Sequence, residues 1–286
     1  MLIRLGYDIE FNIPQPVAVV ALLSLHPSRE AHLREPDEID NEPAVRTERF
    51  VDRFGNRCTR FVTPRGKLRL WSSTLVEDSA AKDTVNWLAQ QLPVGELPDE
   101  VLPYLMNSRY CEVDRLSTIA TSLFGSTAPG WDRVQAIVNW VHWNVQFGYQ
   151  HARATRTALE VFNERVGVCR DFQHPAVALC RCMHVPARYA TGYLGDIGVS
   201  AAPGPMDFSA WFEVYLDGTW WTFDARHNVP RIGRVLMARG LDAADVAMTT
   251  SYGMTELTKF SVVTNEVREF TPSQEIRSYA VGSGGF

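Results

Sequence analysis

An Asp-Gly pair at residues 217–218 constrains the fold of this chain more than any other feature. It separates the segments FSAWFEVYL and TWWTFDAR, which are rich in aromatic and β-branched residues, and Asp-Gly is the strongest short hairpin signal. Pairing outward from this turn places Trp211 opposite Asp224, and Ser209 lies two residues further along the same sheet face. Ser209 and Asp224 are then diagonal neighbours within side-chain reach. The sequence therefore predicts an antiparallel hairpin that brings these two positions together.

On this pattern alone, a purely structural role accounts for Asp224 almost as well as a chemical one. Its carboxylate could cap the end of the second strand or pair with Arg226 two residues later. Glu213 shares the same face, but a single carboxylate there is weak evidence for acid or base chemistry. The hairpin thus predicts where Asp224 lies without deciding what it does.

The rest of the chain has a β-rich beginning, a helical middle and a second β-rich region. Residues 5–13 alternate apolar and polar side chains, which is typical of a half-buried strand, and further strands are expected up to about residue 80. The proline-rich stretch LPVGELPDEVLP reads as a connection, and segments with helical spacing follow it. This order predicts an α+β fold. We expect a β-sandwich-like N-terminal domain over residues 1–90 and an α+β core over residues 91–286, which includes the late segment LTKFSVVTNEVREF.

The composition excludes several classes of protein. The chain has 286 residues, 45% of them hydrophobic, and its net charge of -5 argues against a nucleic-acid partner. No window approaches the roughly 20 apolar residues of a membrane span, and the first residues lack a signal-peptide pattern. The five cysteines show neither CxxC nor Cys/His metal spacing. We therefore expect a cytoplasmic protein with free thiols, without a cofactor, a metal, or a nucleic-acid or membrane partner. Its oligomeric state cannot be predicted.

Cys169 is the one thiol whose surroundings indicate chemistry. It follows the helix-breaking Gly167 and lies at the expected start of a helix. The positive end of a helix lowers the pKa of a thiol, and its free backbone N–H groups can stabilise an oxyanion. Asp171 is expected to cap this helix start. Pro175 is expected to make the helix irregular.

The other four cysteines fit the ordinary role of small buried apolar side chains. Cys180 and Cys182 lie in the middle of an apolar helical run, while Cys58 and Cys111 show no informative pattern. The same ordinary role would account for Cys169 if its flanking residues were ignored.

Two stretches resemble the core of the bacterial transglutaminase-like superfamily, whose members include candidate cysteine proteases. GVCRDFQHPAVALCRCMHVPARYATGYL is similar to the family's nucleophile helix and first core strand, and AWFEVYLDGTWWTFDA is similar to the hairpin that carries its His and Asp. The N-terminal strands, with the motif DRFGN, resemble the β-sandwich that precedes the core in many members. The resemblance covers nearly the whole chain. It implies a papain-like fold and a thiol nucleophile that acts on amide or ester bonds.

The resemblance implies Cys169 as the nucleophile and Asp224 as the acid that orients a histidine, but Ser209 occupies the histidine position. The family's hairpin usually begins His-Ala-Trp, whereas this chain has Ser-Ala-Trp. Without an imidazole there is no obvious base for the thiol and no acid for a leaving amine. Trp211 and Tyr193 are expected to line the substrate-binding cleft.

No other histidine is expected to replace the missing one. His227 has the wrong parity on a continuing strand and would point away from the carboxylate of the hairpin. His174 lies about 140° around the helix from Cys169. His142 and His151 lie upstream, and nothing in the sequence directs them toward the thiol.

Two functions from different classes follow. The first is a transglutaminase-like thiol enzyme, a hydrolase such as a peptidase or an acyl transferase, which forms a Cys169 thioester with atypical proton handling on a peptide or protein substrate. The second is a catalytically impaired relative that uses the cleft to bind a peptide or partner protein. The reactivity of Cys169 relative to the other four thiols discriminates between them.

Overall fold

The computed structural model describes residues 1–201 and 204–267, which form β-rich layers around a helical core. The strands are β1 (Leu2–Ile13), β2 (Ala18–Ala21), β3 (Asp40–Glu42), β4 (Thr47–Val51), β5 (Arg57–Val62), β6 (Gly66–Glu77), β7 (Gln146–Phe147), β8 (Val166–Gly167), β9 (Ala187–Leu194), β10 (Ser209–Leu216), β11 (Thr219–Phe223), β12 (Arg234–Gly240), β13 (Thr249–Ser251) and β14 (Glu256–Val267). The α-helices are α1 (Val113–Phe124), α2 (Trp131–Asn144), α3 (Ala158–Glu164) and α4 (Cys169–Cys182). Short 3₁₀ helices span Pro27–His32, Val94–Glu96, Leu102–Leu105 and Tyr149–His151.

The N-terminal layers are two four-stranded sheets, ordered β14-β1-β6-β3 and β13-β2-β5-β4. Alternate residues of β1 are buried, including Leu5 and Ile9, and they share a core with Val19 of β2 and Phe61 of β5. The alternation predicted a half-buried strand here because apolar side chains recur with the period of two that a strand needs to cover one face. The two sheets thus pack across one apolar core.

The predicted boundary between residues 1–90 and 91–286 is wrong at the C-terminal end. β14 pairs antiparallel with β1 along its length, from Asn12 opposite Glu256 to Leu2 opposite Val267, and β13 pairs with β2. These late strands therefore belong to the N-terminal sheets and not to the core. An alternating strand pattern shows which face is buried but not which sheet the strand joins. The last residues of the predicted segment lie outside the described residues.

The α+β core consists of the four helices and the sheet β11-β10-β9-β12. Buried residues of α4 such as Val177 and Leu179 pack with the other helices and with Phe212 and Val214 of β10. α4 continues without interruption through Pro175, so the expected irregularity does not break it. The α+β fold is confirmed, and α4 lies at its centre.

The predicted hairpin and its register are confirmed. Asp217 and Gly218 have φ values of 48° and 76°, as a two-residue turn with both central residues in the left-handed region requires. Leu216 pairs with Thr219, and the ladder continues to the pair Phe212 and Phe223.

The N-terminal sheets contact the core near the start of α4. The turn between β4 and β5 contains Asn56, whose side chain donates to the carbonyl of Arg239 at 2.7 Å and accepts from the Arg239 N–H at 2.8 Å. One β5 residue, Cys58, lies in an apolar cluster with Tyr189 and Ala210, and Cys169 packs against this cluster. The N-terminal layers therefore cover part of the thiol's surroundings.

Within the described ranges, no helix is long and apolar enough to cross a membrane. The same residues contain no group of three or more His, Cys, Asp or Glu side chains placed to hold a metal ion.

Candidate active site

Cys169 is the first residue of α4, as predicted from the glycine before it. Gly167 ends the short strand β8, and a Cβ there would lie 2.3 Å from the Cβ of Asp171. That space lets the Asp171 carboxylate accept a hydrogen bond from the Val168 N–H at 3.0 Å. The expected role of Asp171 at the helix start is confirmed, and it fixes the backbone that presents Cys169.

The thiol is protonated at neutral pH, contrary to the thiolate expected at a helix N-terminus. Burial, and to a lesser degree the neighbouring carboxylate of Asp207, raises the pKa of Cys169 to about 11. The Arg226 guanidinium and the N–H of Arg170 act in the opposite direction. Loss of hydration therefore outweighs the favourable helix end, because desolvation penalises the charged form.

Asp224 holds its charge through a saturated set of donors. Its Oδ1 accepts from Gln173 Nε2 at 3.2 Å and from the N–H groups of Arg226 at 2.9 Å and His227 at 3.1 Å. Its Oδ2 accepts from His227 Nδ1 at 2.8 Å and Arg234 Nη2 at 3.0 Å. Burial alone would raise its pKa, but the charge of Arg234 and the hydrogen bonds from His227 hold the pKa well below its usual range. Asp224 is thus a buried carboxylate.

The prediction that His227 points away from Asp224 is wrong. β11 ends at Phe223, so strand parity does not continue, and the Asn228 N–H donates to the Asp224 carbonyl at 2.8 Å to close a helical turn. His227 is then three residues into the turn, and its ring reaches back to the carboxylate at the turn's start. No signal in the local sequence marks the end of the strand at Phe223, so the position of His227 could not have been predicted from it.

Ser209 is buried at the first position of β10, and among the described residues no direct hydrogen bond joins its side chain to Asp224. Its Oγ has no hydrogen-bond partner in that part of the chain. Gln173 of α4 connects the two strand ends, since its Nε2 donates to the Ala210 carbonyl and to Asp224 Oδ1, each at 3.2 Å. Gln173 therefore links α4 to Asp224 directly, and it links α4 to the strand end that carries Ser209 only through the carbonyl of the next residue, Ala210.

Three charged or polar neighbours of Cys169 were missed by the sequence reasoning. Asp207, Tyr149 and Arg226 interact electrostatically with one another, and both the carboxylate and the guanidinium act on the thiol. The Arg226 guanidinium lies 3.8 Å from the ring centre of Phe147, which in turn contacts the Tyr149 ring at 5.3 Å. Asp207 and Arg226 lie in loops and turns, and Tyr149 begins a short 3₁₀ helix, where no periodic pattern reveals which side chains meet.

The two residues expected to line the substrate cleft are instead buried. Trp211 and Tyr193 are each only 2% exposed. Trp211 packs with Ala190 and Leu236, while Tyr193 belongs to the core shared with the N-terminal sheets. Their burial corrects the expectation of substrate contact.

Two other histidines have structural contacts. His174 is fully buried, accepts from the Ala243 N–H at 3.2 Å and stacks on Tyr110. His142 donates from Nδ1 to the Arg226 carbonyl at 2.9 Å. Both contacts agree with the structural interpretation of these residues.

Comparison with known proteins places this site in a recognised domain. Residues 117–225 match the transglutaminase-like superfamily, a range that contains Cys169, Ser209 and Asp224. This region has a transglutaminase-like fold. The whole chain is similar in structure to a candidate cysteine protease from Cytophaga hutchinsonii, with a TM-score of 0.80, 29% identity, and coverage of 96% of this chain and 94% of that one.

A second relative extends the similarity beyond the transglutaminase-like domain. An uncharacterised protein from Mycobacterium leprae is 25% identical over 221 residues, which is 74% of this chain and 77% of that protein. The high structural coverage in the Cytophaga protein shows that the N-terminal sheets accompany the transglutaminase-like domain there too.

Proposed function

We propose that the protein is a thiol enzyme that transfers or hydrolyses acyl groups from amide or ester substrates through a thioester on Cys169. The observation that supports this most is the position of Cys169 at the first residue of α4, the helix whose Gln173 donates to the buried Asp224 at 3.2 Å. A nucleophile at a helix start, with a buried carboxylate beside it, matches the functional arrangement of a thiol acyl-transfer site.

In the proposed reaction the Cys169 sulfur attacks the substrate carbonyl and forms a carbon–sulfur bond. The thiol loses its proton to a base, and collapse of the tetrahedral intermediate expels an alcohol or an amine. An alkoxide or phenoxide leaves without a proton when the pKa of its conjugate acid is low, whereas an amine leaving group must receive a proton. Water or an acceptor amine then attacks the thioester and releases the free thiol, so the enzyme acts on peptide or protein carbonyl groups without a net change in its own residues.

Proton handling is the unusual part of this site. Ser209 provides no base, and the imidazole bonded to Asp224 is that of His227, whose Nδ1 donates to the carboxylate. The Nε2 of His227 is left to exchange protons, and the side chain is 24% exposed. We assign His227 as the proton carrier of the wild-type protein, with lower efficiency than a histidine at position 209 would provide.

The substrate preference of the Ser209→His variant tests this function. An imidazole at position 209 supplies a base beside Cys169, so cleavage of a small p-nitroanilide should rise by about 10²–10⁴-fold, the usual value of positioned proton transfer. The gain should disappear in Ser209→His with Cys169→Ala. Wild-type protein should handle a p-nitrophenyl ester better than the anilide. Brisk amide cleavage by wild type, unchanged by Ser209→His, would contradict the assignment of the site.

A second candidate function has its own support. The raised pKa of Cys169 and the unpaired Ser209 hydroxyl favour an impaired enzyme that binds a peptide or partner protein in the cleft. Cys169 is the least buried of the five thiols, so under either function it should be alkylated by iodoacetamide before the other four. The two functions differ in ester turnover: the enzyme proposal predicts hydrolysis of p-nitrophenyl acetate that is lost in Cys169→Ala, whereas the binding alternative predicts no turnover above that of Cys169→Ala.

A further inference from the structure

A small cavity lies between α2, the end of β11 and residues 83–85. Asp224 and Arg234 form part of its wall, but Cys169 and Ser209 do not. Its volume is about 50 Å³. On the same measure one water molecule needs about 10–15 Å³, so the cavity has room for a molecule of several heavy atoms.

Two residues of the cavity wall carry buried donors without an acceptor among the described residues. These donors are the Trp131 indole Nε1–H and the Arg234 Nη1–H. Trp131 is 3% exposed and the Arg234 side chain is 7% exposed. The other nitrogens of Arg234 are occupied, since Nε donates to Asp83 at 2.8 Å and Nη2 donates to Asp224. A buried donor without a partner is costly, so the cavity favours a ligand that brings an acceptor oxygen.

The charges around the cavity favour a neutral acceptor over an anion. The carboxylates of Asp83 and Asp224 both form part of the wall, and both are already bonded to the single guanidinium of Arg234. An anionic ligand would add a third negative charge beside these two carboxylates. A carbonyl oxygen accepts two hydrogen bonds without bringing a charge.

The remaining wall matches the other end of an amide. Asp83 is an acceptor, while Trp131, Phe223 and Val229 add apolar surface. A primary amide presents a carbonyl oxygen, an NH₂ donor group and a small apolar body.

We propose that this cavity binds a compact neutral amide, with its carbonyl oxygen accepting from Trp131 and Arg234 and its NH₂ group donating to Asp83. The cavity wall includes Asp224 but neither Cys169 nor Ser209. The proposed ligand site can therefore be tested independently of the acyl-transfer function.

The experiment follows the Trp131 indole N–H signal by NMR in ¹⁵N-tryptophan-labelled full-length protein during titration with acetamide. A Trp131→Phe variant assigns the signal. Acetamide should produce a saturable shift of this signal, because its carbonyl gives the indole N–H the acceptor it lacks. Acetate and methylammonium should bind at least about tenfold more weakly, since each lacks one half of the match.

A matched pair of exposed valines controls for non-specific effects. Val229 lines the cavity and is 52% exposed, while Val51 lies on β4 away from it and is 61% exposed. Val229→Trp should block the cavity and abolish the acetamide shift, whereas Val51→Trp should retain it. The proposal is overturned if acetamide gives no saturable shift, if acetate binds equally well, or if Val229→Trp binds like wild type. None of these readouts depends on the activity of Cys169.

Discussion

At the scale of single residues, burial acts on the two central groups of the site with opposite net results. It raises the pKa of Cys169 because few opposing groups compensate, and the thiol stays neutral. Asp224 is more deeply buried, but Arg234 and His227 overcome the burial and keep it ionised. The site thus combines a resting thiol with a permanent negative charge.

The pH dependence of Cys169 alkylation tests the resting state of the thiol. Only the thiolate reacts, and the pKa of Cys169 is raised to about 11. The rate with iodoacetamide should therefore increase about tenfold per pH unit across the neutral and mildly alkaline range. Peptide mapping by mass spectrometry identifies the alkylated residue, and Cys169→Ala provides the blank. A rate that levels off below pH 8 would show an activated thiolate instead.

Substitution of Asp224 should destabilise the fold as well as the site. Asp224→Asn removes the buried charge opposite Arg234, and breaking a buried ion pair costs about 3–5 kcal/mol. Because the folded-state pKa of Asp224 is lowered, its stabilisation is present above the ordinary aspartate pKa and is lost as pH falls below about 4. The difference between wild type and variant should thus be full at pH 7 and shrink in acid.

Urea unfolding at several pH values measures this difference. Asp207→Asn is the matched control, because burial raises the pKa of Asp207 and a neutral side chain is tolerated there. It should cost less than Asp224→Asn. Equal losses for both variants, or a loss for Asp224→Asn that does not depend on pH, would contradict the role given to the Asp224 charge.

At the scale of elements, the start of α4 and the end of β11 decide the geometry of the site. The Asp-Gly turn predicted the pairing of β10 with β11 correctly, because the register of a two-residue hairpin follows from its turn. The same parity argument failed for His227, because it assumed that the strand continued beyond Phe223. Where a strand ends depends on tertiary contacts such as those of Gln173, which local sequence does not reveal.

Gly167→Ala should disturb the start of α4. A Cβ at this position would clash with the Asp171 side chain and displace the carboxylate that accepts from the Val168 N–H. Loss of such a cap costs about 0.5–2 kcal/mol, and the clash adds to it. Gly95→Ala is the control, since a Cβ there meets nothing within 4 Å. Thermal unfolding should show a clear loss for Gly167→Ala and little change for Gly95→Ala; similar values would refute this account of the helix start.

At the scale of the whole molecule, the N-terminal sheets form part of the environment of Cys169. The sequence predicted their strands, and it predicted the α+β core, because both rest on local periodicity. It did not predict that β14 would pair with β1 or that Trp211 and Tyr193 would be covered. Those features depend on contacts between distant parts of the chain, which a single sequence leaves open.

Asn56→Ala tests the contact between the N-terminal sheets and the core. Asn56 is fully buried and forms two hydrogen bonds with the backbone of Arg239. The Asn56→Ala substitution leaves the buried N–H and carbonyl of Arg239 unpaired, which should lower the free energy of unfolding by about 1–3 kcal/mol. The substitution should also loosen the layer over Cys169. Alkylation of Cys169 at pH 8 should then become faster. The exposed Asn12→Ala, which removes one surface hydrogen bond, should leave the rate unchanged.

The acyl-enzyme itself provides the most direct test of the central claim that Cys169 is the nucleophile. Wild-type protein is mixed with p-nitrophenyl acetate, quenched in acid, and examined by intact-mass and peptide-mapping mass spectrometry. The account predicts one acetyl group on Cys169, its slow loss on further incubation, faster formation in Ser209→His, and no such adduct in Cys169→Ala. Acetylation of a different residue, or undiminished ester turnover by Cys169→Ala, would contradict it.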